Sequence, residues 1–348
     1  MLLKVRCRSM TTIKDVARAC GVSTATVSYV INGKHVLLPE TREKVLMAMR
    51  ELRYHPSAVA RGLSHKRMNT IGILFGTVNT GIVINHPYSS SILQGILTAA
   101  SASGYNATFY TDPWRTADRS AASYRDRRTD GIVVVAPPTD SDVIQGLTRY
   151  DLSIVAVSYP GEVAGIASVD TDNVLGARLA IQHLLDLGHR RIAHLTGPLN
   201  MLSASLRAET YRSMMDGEYP DIPDVYYGQP NAFDEAAAYM QTRHLLTMPN
   251  PPTAIFASND QNAFGAMQAA RDLGISVPVR LSIVGYDDTP ESATTRPALT
   301  SVRQPLTLIG ETAGRLLISQ LAGDPVDTKM CLLTPELIVR ESTAAPVT

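Results

Sequence analysis

The 348-residue chain lacks several features that would point to other classes of protein. Its three cysteines, Cys7, Cys20 and Cys331, are too few and too scattered for a disulfide framework or a zinc site. Cys20 falls inside a helical pattern, where a free cysteine acts as a small core residue. No apolar run reaches the roughly 20 residues that span a bilayer. The opening Met1-Leu2-Leu3-Lys4-Val5-Arg6-Cys7-Arg8 is basic and lacks the apolar core of a secretory signal. It reads as a disordered extension over residues 1–10, with Met10 as an alternative start, on a cytoplasmic protein. Also missing are a GxGxxG turn, a P-loop, a GxSxG elbow and an HExxH pair, which argues against an enzyme. His183, His189 and His194 crowd one region, but their spacing does not set them on one face. They read as structural histidines, so no metal and no cofactor is expected.

What remains is a soluble globular composition, 45% hydrophobic and 18% charged, long enough for two or three domains. The net charge of zero hides an asymmetry. Up to Arg67 there are 13 Lys/Arg against 4 Asp/Glu; from Met68 onward there are 19 against 28. A basic head on an acidic body suits a protein that holds a polyanion at one end only.

In the head, Thr12 and Asp15 have the spacing of a capping box, and Ile13, Val16 and Ala17 then mark an apolar helical face ending at Gly21. Ser23 can cap a second helix through Ile31, and Pro39 can open a third whose apolar stripe is Val45, Leu46, Met49 and Leu52. Two helices of about eight residues, separated by three, have the dimensions of a helix-turn-helix. The second helix shows a short, uncharged polar face flanked by Lys14, Arg18 and Lys34, which suits base contact in the middle and phosphate contact at the edges.

These residues also carry a resemblance. Thr12-Ile13-Lys14-Asp15-Val16-Ala17, Gly21-Val22-Ser23, Thr26-Val27-Ser28, Val30-Ile31-Asn32, Pro39-Glu40-Thr41-Arg42 and Pro56-Ser57-Ala58-Val59-Ala60-Arg61-Gly62-Leu63 closely resemble the headpiece of the lactose/galactose/purine-repressor family. The resemblance implies that Thr24, Ala25 and Tyr29 read bases in the major groove and that His35 adds a contact. It extends the DNA-binding set to Thr12, Thr26, Ser57, Ala60, Arg61 and Leu63. Residues 56–63 match the family's hinge helix, and Leu63 matches its minor-groove wedge. Two departures stand out: Leu38 replaces a usual capping serine, and Gly62 weakens the hinge by roughly 1 kcal/mol of helix propensity.

From Met68 onward, short apolar runs alternate with helical stretches. Strands are expected at 71–75, 107–110, 132–135 and 154–157, then at 192–195, 225–227, 254–257 and 281–284. Helices are expected at 91–103, 117–128, 141–149, 174–187, 203–215, 233–247 and 260–273. Such alternation implies two doubly wound parallel sheets with a ligand site at the strands' carboxyl ends. The family resemblance continues through Val169-Asp170-Thr171-Asp172-Asn173, Gly188-His189-Arg190-Arg191-Ile192, Ser258-Asn259-Asp260-Gln261, Gly285-Tyr286-Asp287-Asp288 and Leu299-Thr300-Ser301-Val302-Arg303-Gln304-Pro305. It implies an α/β effector domain of two periplasmic-binding-protein-like lobes, with the chain crossing between them near 168, 301 and 330. The domains are then a headpiece at 11–55, a hinge and linker at 56–68, and an effector domain at 69–345. Its N-lobe would be 70–167 and 302–329, and its C-lobe 168–300 and 330–345.

The implied effector site is Tyr88, Ser158, Ser203, Arg207, Asn259 and Asp287. Arg207 offers forked donors, Asn259 and Asp287 suit adjacent hydroxyls, and Tyr88 offers a flat face. Ser89 and Ser158 stand where relatives carry an aromatic and an aspartate. Trp114 reads as edge packing. The partners implied are a pseudo-palindromic double-stranded DNA operator, a small-molecule effector such as a sugar, and a second copy of the chain. Met68 onward could instead be a transport binding protein, which would have no headpiece. A constitutive architectural DNA binder would have no use for a polar cleft. The polar tail from Ser342 carries no heptad zipper, so a dimer is expected rather than a tetramer.

Overall fold

A computed structural model describes residues 11–33, 37–55, 67–76, 86–112, 114–124, 126–150, 152–160, 165–216, 223–227, 233–327 and 330–347. The chain divides into two compact units, Met1–Asn69 and Thr70–Thr348. His35, Ser57, Ala60, Arg61, Leu63, the extension at 1–10 and the hinge at 56–63 lie outside the described residues.

In the first unit, α1 (Ile13–Cys20), α2 (Thr24–Ile31) and α3 (Pro39–Glu51) close on Val16, Ala17, Cys20, Val27, Val30, Val45 and Ala48. The Asp15 carboxylate accepts from the Thr12 N–H at 3.0 Å and from its hydroxyl at 2.7 Å. Those bonds hold its pKa below the ordinary value. Gly21, at φ +64°, supplies the left-handed turn that ends α1. Ser23 Oγ accepts from the Thr26 N–H at 3.1 Å and caps α2. Leu38 has no side-chain acceptor for α3, which relies on Pro39 in its first turn. Cys20 is buried here, with Sγ 3.6 Å from the Lys44 carbonyl.

The second unit holds two sheets. The first is parallel throughout, built from β1 (Thr70–Phe75), β2 (Asn106–Phe109), β3 (Gly131–Val135), β4 (Ser153–Val157), β5 (Ala167–Thr171) and β10 (Met330–Leu333) in the order β10-β5-β4-β3-β1-β2. One face packs on α4 (Pro87–Ala102) and α11 (Leu306–Ala322), the other on α5 (Ala117–Tyr124) and α6 (Val143–Thr148). The second sheet joins β6 (Ile192–Leu195), β7 (Ala254–Ala257), β8 (Ser282–Asp287), β9 (Thr300–Arg303) and β11 (Glu336–Ile338) in the order β11-β9-β8-β7-β6. Only β11 runs antiparallel in it. Its faces are covered by α7 (Asn173–Asp186) and α8 (Leu202–Asp216) on one side, and by α9 (Glu235–Leu246) and α10 (Asp260–Asp272) on the other. Burial on both faces explains why the central strands read as continuous apolar runs.

The chain crosses between lobes three times, each time later than expected. β5 and β10 pair within the first sheet, so the crossings there follow Thr171 and Leu333 rather than falling near 168 and 330. β9 pairs with β8 in the second sheet, which moves the middle crossing past Arg303. The strand expected at 225–227 is a single 3₁₀ turn, Asp224–Tyr227. The Tyr226 N–H bonds back to the Pro223 carbonyl at 2.8 Å, and the Tyr226 hydroxyl donates to the Asn250 carbonyl at 2.6 Å. The helix expected to reach residue 128 stops at Tyr124, ahead of Arg127 at φ +60°.

Where α4 crosses α11, Gly95 and Gly310 let the backbones touch. A Cβ on Gly95 would sit 2.0 Å from the Thr307 carbonyl, and one on Gly310 would sit 2.0 Å from the Ile92 carbonyl. This close approach fixes α4, whose first turn carries Tyr88 and Ser89.

Candidate effector site and nucleic-acid interface

The carboxyl ends of β1, β3 and β8 meet the first turns of α4, α8 and α10 around one cavity of about 480 Å³. Several backbone positions at these ends are strained. Ala136 and Ser158, just beyond β3 and β4, have φ of +46° and +54°, and Asp287 and Asp288 have φ of +117° and +54°. Left-handed conformations in non-glycine residues cost energy and cluster where side chains must be aimed at a ligand. Phe233, at φ +58°, also lines the cavity, and its ring lies against Gly197, where a Cβ would be 2.2 Å away.

Arg207 is 3% exposed. Its Nε donates to Asn173 Oδ1 at 2.9 Å, its Nη1 donates to the Ser258 carbonyl at 2.6 Å, and its guanidinium lies 3.5 Å from the Tyr286 ring centroid. Asn173 Nδ2 in turn donates to Asp170 Oδ2 at 3.0 Å, while Asp170 Oδ1 accepts from the Ser158 hydroxyl and the Thr171 N–H at 2.8 Å each. Ser158 Oγ is 3.1 Å from the Tyr88 hydroxyl. A single polar chain therefore runs from Tyr88 in one lobe to Arg207 in the other. Burial pushes the Asp170 carboxyl up to about 6, opposed by these bonds and by Arg207. Burial also pushes the Tyr88 phenol up, which keeps its hydroxyl protonated.

Asp287 faces the cavity from the end of β8, and its Oδ1 accepts from Gln304 Nε2 at 2.6 Å. Burial and the nearby Asp260 raise its pKa, against the pull of Arg207 and Gln304. Asp260 is held by Ser292 and Ser301 hydroxyls at 2.6 Å each and by the Thr289 N–H at 2.7 Å. Asn259 spends its Oδ1 on the Asn262 N–H as the cap of α10, and its Nδ2 lies 3.4 Å from the Phe233 carbonyl. Its amide donors are therefore the part available to a ligand.

The cavity thus gathers Tyr88, Ser203, Arg207, Asn259 and Asp287. Ser158 is not on the wall: its hydroxyl is turned to Asp170, and it supports Tyr88 from behind. Further lining residues are Phe75, His86, Met201, Phe233, Asp234, Glu235, Gln261 and Gln304, none of them singled out by sequence. Gln261 and Gln304 fall inside quoted family motifs but were not read as contacts, and Phe233 sits in a strained turn that no pattern marks. Burial lowers the His86 pKa, so its ring is held toward the neutral form. Trp114 packs at 5.5 Å on Tyr124 and donates Nε1 to Asp142 at 2.6 Å, at the edge of the first lobe.

The three central histidines are bonded into the second lobe separately. His183 reaches Thr343, and His189 reaches Thr253, Ser282 and the Ala344 carbonyl. His194 is stacked between Tyr211 and Phe256 with Nδ1 2.9 Å from the Phe256 carbonyl, and burial pushes its pKa down to about 4.

In the first unit, Thr24, Ala25 and Tyr29 are exposed on α2, and Ala25 and Tyr29, four residues apart, are surface neighbours. Thr12 is exposed with its hydroxyl on Asp15. Thr26 is half-buried, and its hydroxyl is 2.9 Å from Ser23 Oγ. Lys14 and Arg18 are exposed on α1. Among the described residues no helix is long and apolar enough to cross a membrane.

A helix-turn-helix unit and a two-lobed α/β unit with a polar cavity, carried on one chain, define the class of ligand-controlled DNA-binding regulators. Residues 12–57 match the family model for bacterial regulatory proteins of the lacI family, and residues 181–343 match a periplasmic binding protein-like domain. The ribose operon repressor of Escherichia coli (strain K12) is 34% identical over 337 residues, covering 96% of this chain and all of the relative. The transcriptional repressor PurR of Haemophilus influenzae is 32% identical over 339 residues, covering 96% of this chain and 98% of the relative. A lac repressor dimer bound to operator and the anti-inducer ONPF superposes with a TM-score of 0.83 at 30% identity, covering 97% of this chain and 100% of that one. The regulator CelR in complex with cellobiose gives 0.73 at 29% identity, covering 95% and 99%. The chain belongs to the lacI family of bacterial regulatory proteins, and it is a DNA-binding transcriptional regulator.

Proposed function

We propose that the protein is a cytoplasmic repressor that binds a pseudo-palindromic operator as a homodimer and releases or tightens it in response to a sugar in the inter-lobe cavity. The observation that carries the sugar reading is the convergence of Arg207, Asn259 and Asp287 with the aromatic rings of Phe75, Tyr88 and Phe233. Fixed donors and a carboxylate match vicinal hydroxyls, which both accept and donate, while aromatic rings cover the apolar faces of a sugar. The volume lies within the range of small-molecule sites. Tyr88 with Ser158, Asp170 and Asn173 acts as the support that aims Arg207. Thr24, Ala25 and Tyr29 make the base contacts; Thr12, Thr26, His35, Ser57, Ala60 and Arg61 join the flanking contacts, and Leu63 wedges the operator's centre. The reading calls for no cofactor and no bond-making step.

A thermal-shift screen of the full chain against pentoses, hexoses, disaccharides, polyols and nucleobases tests the effector reading, because a ligand that binds only the folded state raises the melting temperature by mass action. A sugar or polyol is expected to shift it, and the shift should vanish in Arg207→Ala. A shift by nucleobases alone would replace the sugar reading.

A further inference from the structure

The first sheet is parallel throughout, so its strands all begin on one edge and all end on the other. The effector cavity lies at the carboxyl edge. The chain arrives from the headpiece at the amino edge, where Thr70 opens β1. Thr70 is tied there to the loop that leads into β3. Its N–H donates to Asp130 Oδ2 at 3.2 Å, and the Asp130 N–H donates to the Thr70 carbonyl at 2.7 Å. Thr129, in the same loop, is buried with its hydroxyl 2.9 Å from that of Tyr110. These bonds fix the loop, and the two arginines beside them, Arg127 and Arg128, are exposed. Arg149 is exposed as well, just ahead of β4, which pairs with β3.

The carboxylates around these arginines are committed elsewhere. Asp130 holds Thr70, and Asp126 pairs with Arg128. Neither Arg127 nor Arg149 joins an ion pair among the described residues. Asp151, beside Arg149 in sequence, lies outside the described residues. Asp324 and Asp327 precede β10, three strands from β3 and so roughly 14 Å along the edge.

We propose that Arg127 and Arg149 form a second nucleic-acid surface, which touches phosphates of the duplex that the headpiece holds. From Met68 onward the chain carries 19 Lys/Arg against 28 Asp/Glu, so this unit as a whole repels a polyanion. Only residues 56–66 separate the described parts of the two units, and fully extended they span at most about 40 Å. DNA gripped by the headpiece is therefore kept within reach of the edge where the chain enters. Unpaired arginines at that edge replace repulsion with attraction where the approach is forced. Guanidinium groups grip phosphate with forked donors and read no sequence. The surface rests on DNA binding alone, whatever the effector cavity holds.

The test is an anisotropy titration of a duplex that the full chain has selected from a random library, run at several salt concentrations between about 50 and 200 mM. The parent is compared with Arg127→Ser, Arg149→Ser, the two combined, and Arg115→Ser. Arg115 is exposed beyond the carboxyl end of β2, so its variant removes the same charge from the opposite edge. Each lost phosphate contact lowers the slope of log affinity against log salt by about 1. The double variant should lose about 2 from the slope and bind about tenfold more weakly at low salt, while Arg115→Ser keeps the parent slope. Inactive protein rescales affinity equally at every salt, so the slope survives partial misfolding. An unchanged slope in the double variant, with or without a loss of affinity, would overturn the surface. An equal fall in Arg115→Ser would also overturn it, by reducing the effect to net charge.

Discussion

Arg207 illustrates how a charged group is kept in an interior. It is nearly inaccessible, yet Asn173, the Ser258 carbonyl and the Tyr286 ring each compensate part of its desolvation. Replacing it with lysine keeps the charge and loses the fork, so sugar affinity should fall by about tenfold, and by about a hundredfold in Arg207→Ala, measured by calorimetry. Asp287 supplies a pH handle. Its folded pKa is raised, so the folded state binds more protons than the unfolded chain between the ordinary carboxylate value near 4 and its own value of about 7. Its contribution to stability is therefore fully present below that window and is lost as pH rises through it. Asp287→Asn removes this loss, so the variant's melting temperature should gain on the parent's between pH 4 and 7. Sugar binding should strengthen over the upper part of the same window, as the carboxylate becomes available to a hydroxyl. Residues of this kind were singled out through the family resemblance: Asn259 and Asp287 sit at strand ends, whereas Arg207 lies on α8. Ser158 occupied such a position but faces Asp170 instead, a rotation set by the hydrogen bond and invisible to spacing.

At the scale of elements, capping and close packing decide where chemistry can be placed. Ser23→Ala should cost the headpiece about 1 kcal/mol in denaturant unfolding, since the Thr26 N–H loses its acceptor. Leu38→Ser should stabilise it by about 0.5–1 kcal/mol by providing the side-chain acceptor that α3 lacks. Gly310→Ala places a methyl 2.0 Å from the Ile92 carbonyl and should destabilise the second unit by about 1–3 kcal/mol. It should also weaken sugar binding, because α4 carries Tyr88. The other helices of the second unit and its central strands were legible because their apolar runs are long and cleanly bounded, but α11, 17 residues long, was not among the expected helices. β5, β9, β10 and β11 were not, because they are short, polar in part, and defined by pairing with strands distant in sequence. Val225-Tyr226-Tyr227 misled for the opposite reason: β-favouring residues were overridden by the turn back to Pro223 and by the Tyr226 hydroxyl bond to Asn250.

For the whole molecule, the basic head and acidic body predict DNA binding that weakens steeply with salt, as phosphate contacts release counterions. Three crossing segments join the lobes, and the middle one carries Gln304 on its way from β9 to α11, so a ligand touching Asp287 and Gln304 also touches the hinge between lobes. If operator affinity differs between two lobe arrangements, an effector that prefers one of them changes operator affinity by the same linkage. The most direct measurement is an anisotropy titration of a duplex, selected by the full chain from a random library, with and without the sugar that raises the melting temperature. The account predicts an operator affinity that changes by about tenfold or more with the sugar, and no change in Arg207→Ala. An unchanged operator affinity in the parent chain, with the sugar demonstrably bound, would contradict it.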